Sequence, residues 1–145
     1  MAAGMTVAEA LARFDERVFE PRQYGVNDCC VAVADVLMAA GWPDLMVLFG
    51  RRYRTALGFR RSCRRVAGAA TLADAVEFAA LNCGTVVFTM SPKAAPANFD
   101  LGMIFAGAPG RVVELPAFWW QGAWRGLSPD GAVYSLEAFR VWRRG

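Results

Sequence analysis

Twelve consecutive residues, Cys29 to Ala40, read as a helix that is apolar on nearly every side. Only Asp28 at its start and Asp35 within it interrupt the pattern. Such a helix has no face to offer to water, so the rest of the chain has to enclose it. Asn27 or Asp28 is its natural cap, and Gly41 supplies a residue that accepts the left-handed conformation that ends helices.

The flanking segments supply the enclosure. Thr6-Val7-Ala8-Glu9 reads as a capping box, and Val7, Ala10, Leu11, Phe14 and Val18 recur at helical spacing. The spacing predicts an amphipathic helix over 7–18, which Pro21 keeps from continuing. Trp42-Pro43-Asp44 is a turn. A third helix is expected over 55–67, with Leu57, Cys63 and Val66 inward, the arginines outward and Gly68 at its end. A fourth is capped by Thr71 and offers Leu72, Ala75, Val76, Phe78, Ala79 and Leu81 to the core.

Beyond Gly84 the pattern changes to strands, expected at 86–90, 101–105, 111–115 and 132–135. Residues 91–98 form a loop, 107–110 a turn, 135–139 one helical turn, and a tail strand lies around 140–142. The segment 116–124 is expected as an aromatic loop. It either plugs one end of the core or presents Trp119, Trp120 and Trp124 to a partner, since Trp is enriched in interface hot spots. Helices first and antiparallel strands second make an α+β fold, a single domain over 1–145 with N-terminal helices packed on a small sheet.

Composition excludes several classes. The chain is 56% hydrophobic and has no long charged tract, which is the profile of a folded domain. No apolar run approaches the ~18 residues of a membrane span. Met1-Ala2-Ala3-Gly4-Met5 lacks the basic and apolar regions of a signal peptide, so synthesis and folding in a cytoplasm are expected. A net charge of +3 does not point to nucleic acid. Arg51, Arg52, Arg54, Arg60, Arg61, Arg64 and Arg65 nevertheless crowd together. They fit either a solvated helix face with a loop or a docking surface for an acidic protein.

The four cysteines, 29, 30, 63 and 83, include no CxxC pair, and the chain has no histidine. No metal site and no cofactor are expected, and four free thiols are the default in a reducing compartment. Cys63 and Cys83 read as small core residues.

Cys29 is the chemical question. In the first turn of a helix its thiolate is favoured by unpaired amide hydrogens, which also suit an oxyanion. Cys30 points about 100° away and is expected to pack. A thiol nucleophile needs a base, and no imidazole exists here. Carboxylates ionise too far below a thiol to replace one. The adjacent cysteines also leave open a redox or thiol-binding module.

Tyr24-Gly25-Val26-Asn27-Asp28-Cys29-Cys30, the apolar helix, Gly41, Asp44 and Gly50-Arg51-Arg52-Tyr53-Arg54-Thr55 resemble small proteins of tailed phages and prophages related to NlpC-type cell-wall cysteine peptidases. The resemblance covers about 8–145 and is most specific over 24–55. It implies a papain-like fold, Cys29 as a vestigial nucleophile beside Asp28, and Asp100 or Leu101 where the peptidase histidine would stand. It further implies a structural component of a phage tail tip or baseplate, made in the host cytoplasm and carried in the virion. Its partners would be tail-tip and hub proteins, docked through the arginines and tryptophans. The alternative is an active peptidase or amidase acting on peptidoglycan, with Cys29 as nucleophile and a base lent by a partner.

Overall fold

The computed structural model describes residues 4–107 and 109–145. The expectations resting on Met1 to Ala3 and on Ala108, a start without a signal peptide and part of a turn, lie outside the described residues. Among the described residues four helices precede six strands: α1 (Val7–Arg17), α2 (Cys29–Ala39), α3 (Ala56–Ala67), α4 (Leu72–Leu81), β1 (Val87–Met90), β2 (Leu101–Ala106), β3 (Val113–Trp120), β4 (Ala123–Ser128), β5 (Gly131–Ser135) and β6 (Arg140–Arg144). The strands form one antiparallel sheet in the order β1-β6-β2-β3-β4-β5. The C-terminal strand β6 therefore separates β1 from β2. The molecule is α+β, as its sequence predicts.

The apolar helix is the centre of the core. Cys30, Val31, Ala32, Val33, Ala34, Val36 and Leu37 of α2 are all buried. They meet Leu101, Met103, Phe118, Leu127 and Trp142 from one face of the sheet, and Phe14 of α1. Phe14 stands edge-on to Phe118 with ring centroids 5.0 Å apart. Full burial of each large side chain contributes about 1.5–3 kcal/mol. The other sheet face buries Ile104, Ala106, Leu115, Ala117, Trp124 and Val141. Trp124 lies across Gly102, where a side chain would meet the indole at 2.7 Å.

Local chemistry fixes the helix ends. The Thr6 hydroxyl accepts from Glu9 N–H and the Glu9 carboxylate from Thr6 N–H, both at 3.1 Å, which completes the capping box. Thr55 and Thr71 cap α3 and α4 through their hydroxyls alone, which accept from Gly58 N–H and Asp74 N–H. Gly68 ends α3 at φ 63°.

Several expectations are corrected. The segment 116–124 is no loop but the hairpin β3–β4, turned at Gln121 and Gly122 with φ of 45° and 84°. Pro116 and the unbroken apolar run hid this strand from the sequence pattern. Pro116 survives because the β3–β4 ladder covers only Phe118 to Trp120. The third strand begins at Val113, not at 111. No helical turn occupies 135–139. There the Ser135 hydroxyl accepts from Glu137 N–H at 3.2 Å and donates to Glu137 C=O at 2.7 Å, a local turn that competes with helix. Leu57 faces outward and is 51% exposed, while Ser62 and Cys63 are the buried residues of α3.

Candidate functional site

The two most distinctive sequence segments, 24–28 and 50–55, are bonded to one another. Asp28 caps α2, its Oδ1 accepting from Cys30 N–H at 3.0 Å and Val31 N–H at 2.8 Å. Its Oδ2 accepts from Gly25 N–H at 2.6 Å and from the Tyr53 hydroxyl at 2.8 Å. Gly25 has φ 82°, and a side chain there would collide with Arg51 C=O and lie 2.7 Å from Tyr53 C=O. Only glycine fits that combination. The Asn27 amide donates to Arg17 C=O at 3.1 Å and Pro21 C=O at 3.2 Å. Its oxygen accepts from Arg17 Nη1 at 3.1 Å.

Beneath this latch runs an ion network. Arg17 Nη2 pairs with Asp35 at 2.7 Å, and Arg51 Nη2 bridges Asp35 at 3.0 Å and Asp44 at 3.1 Å. Burial lowers the Arg17 pKa, and Asp35 opposes that shift. Burial also raises the Tyr53 phenol, and the Asp28 charge raises it further, so Tyr53 remains a neutral donor. Arg54 donates to Arg51 C=O at 2.7 Å and Tyr53 C=O at 2.9 Å. Arg51 and Arg54 are therefore parts of the latch and not elements of a free docking surface, which corrects the grouping read from sequence.

Cys29 sits half-buried in the first turn of α2, with Sγ 3.8 Å from the Cys30 sulfur. Cys30 is packed as expected, and its thiol is raised well above the usual value by the contact with Cys29 and by burial. It is a poor proton acceptor for its neighbour. Asp28 is no better placed, since four donors occupy its two oxygens. Asp100 lies at the other end of α2, lining a cleft with Ala40 and Trp42. Trp42 Nε1 donates to Phe99 C=O at 2.9 Å, which ties that end down. The eleven residues of α2 separate the two ends by about 16 Å. Asp100 is held instead by Arg143, Nε at 2.9 Å and Nη2 at 2.8 Å, and by Ala97 N–H at 2.9 Å. Position 100 thus does not face the thiol, contrary to the alignment expected from sequence.

The tryptophans are largely internal. Trp124 is 1% exposed and belongs to the core, which corrects its expected role as a partner anchor. Trp119 stands edge-on to it at 5.4 Å, and Trp120 stacks on Phe99 at 5.0 Å. The hairpin contributes Phe118 and Trp124 to the core.

Cys29 and α3 border solvent-open space. Cys29 and Tyr24 line two adjoining clefts, of about 370 Å³ and about 160 Å³. The larger runs between α3 and the start of α4 and is bordered by Arg60, Arg64 and Thr71. Arg52, Arg60, Arg61, Arg64 and Arg65 are exposed and, among the described residues, make no ion pair. Among the same residues no cluster of three or more metal-ligating side chains is assembled. Among the described residues no helix is long and apolar enough to cross a membrane. Sequence reading assigned no role to Tyr53, Asp35, Arg17 or Arg143. Of these, Asp35 carried a signal, because a charge inside an apolar helix demands a partner.

Residues 5–141 match a family described as Domain of unknown function (DUF6950). No curated protein and no solved structure matches.

Proposed function

We propose, for a chain that belongs to the DUF6950 family, that it is a docking domain and not a hydrolase, serving as a structural component of the tail tip of a tailed phage or phage-like particle. The papain-like, NlpC-type ancestry and the tail-tip setting rest on the sequence resemblance over 24–55. Docking rests on one observation: the α3 arginines are exposed with no carboxylate partner among the described residues, while the arginines of the latch are engaged within the fold. Exposed Arg without internal partners suits an acidic protein surface. The expected catalytic machinery gives no support to cleavage, since neither Asp28 nor Asp100 can take a proton from Cys29.

Incorporation into particles tests this reading. Reversing Arg60, Arg61, Arg64 and Arg65 to glutamate should leave a folded chain that is absent from purified particles. Normal incorporation of that variant refutes docking through α3. One observation favours the second reading, an active peptidase completed by a partner: Cys29 opens onto two clefts. Cleavage of peptidoglycan by the chain together with tail proteins, lost in Cys29→Ala, is its signature.

A further inference from the structure

We infer that the cleft between α3 and the start of α4 is a recognition groove for an extended acidic segment of a partner protein, seated with its carboxylates between Arg60 and Arg64 and its backbone passing over Cys29. The inference rests on the docking reading and narrows it to one groove and one partner chemistry.

Charge complementarity carries it. Arg60 and Arg64 are four residues apart, so they lie on one side of α3. Both border the cleft of about 370 Å³, and among the described residues no carboxylate lines it. The apolar floor, with Phe59, Leu72 and Val113, suits the side chains that alternate with acids in an extended strand. The cleft continues past Cys29 and Tyr24 into the smaller one, which gives it the length of a chain segment and not of a single ion. In that second cleft Asp28 carries the one negative charge, and its donors already satisfy it. The fold seats a carboxylate of its own nearby: Glu114 Oε1 accepts from Ala73 N–H at 3.1 Å in the first turn of α4. Arg61 and Arg65 are exposed on the same helix but do not line the cleft, and they provide the internal control.

The test uses the full chain and a fluorescein-labelled peptide of alternating glutamate and leucine, with a lysine–leucine peptide and a short single-stranded oligonucleotide as comparisons. Anisotropy reports binding, and the rate of maleimide addition to Cys29 in a Cys83→Ser background reports occupancy of the groove. The glutamate peptide should bind, slow Cys29 labelling and weaken with added salt. The pair Arg60→Glu and Arg64→Glu should weaken it by about tenfold, and the pair Arg61→Glu and Arg65→Glu by no more than about threefold. Four results overturn the groove: no binding at low salt, equal loss in the two pairs, unchanged labelling of Cys29, or an equal affinity for the lysine peptide or the oligonucleotide. Equal loss or unchanged labelling with binding retained leaves docking through α3 standing, so the two readings fail separately.

Discussion

Two arginine-rich regions adjoin in this molecule and do opposite things with the same side chain. In the latch, Arg17 and Arg51 meet Asp35 and Asp44, and Arg54 is folded onto backbone carbonyls. On α3, four arginines stand in solvent and, among the described residues, make no ion pair. Guanidinium groups taken out of water need compensation within the fold, and exposed ones do not. The difference separates residues that hold the fold from residues that are available to a partner. It also shows that the most recognisable motif of the chain, Gly25 to Asp28 with Arg51 to Thr55, is explained by structure before any catalysis is invoked.

The comparison breaks first at Asp35. Asp35→Ala strands the buried Arg17 charge and should cost about 3–5 kcal/mol in urea unfolding. A loss below about 1 kcal/mol would mean that Arg17 reaches water, and the contrast would collapse. Next comes Asp28→Ala, which removes the cap of α2 and the Tyr53 bond together. It should cost about 2 kcal/mol, whereas Cys29→Ala should cost clearly less.

Tyr53→Phe sharpens the latch through pH. Folding raises the phenol above its ordinary value of about 10, so above that pH the unfolded chain ionises while the folded chain stays protonated. The unfolded state then holds fewer protons, and stability falls as pH rises. The raised Cys30 and Cys63 thiols add to the same alkaline loss by the same logic. The substitution should cost about 1 kcal/mol at neutral pH and make the decline above pH 10 shallower. An unaltered slope would place Tyr53 outside the buried network. The smallest effect is on α3, where single Arg60→Glu or Arg64→Glu changes should leave unfolding within about 0.5 kcal/mol of the parent.

How far the sequence could be read follows the same division. Helices α1, α2 and α4 were legible from their caps at Thr6, Asp28 and Thr71, while α3 was placed over the right residues although the spacing put Leu57 on the wrong side. The centrality of α2 was legible from its lack of a polar face. The hairpin β3–β4 was not, because Pro116 and a continuous apolar run erase the alternation that marks a strand. The site was half legible. Asp28 and Cys29 stand where the capping pattern puts them. The partners that decide their chemistry, Tyr53 and Gly25 for Asp28 and Arg143 for Asp100, come from distant positions or from conformations that spacing does not encode. Position 100 precedes a strand that starts at the far end of α2, and only the topology reveals that distance.

The claim that the thiol has no working base is tested most directly by incubating the full chain, beside Cys29→Ala, with purified peptidoglycan and following release of new amino groups. The account predicts that neither protein exceeds the buffer control. Release by the parent chain that disappears in Cys29→Ala would contradict it.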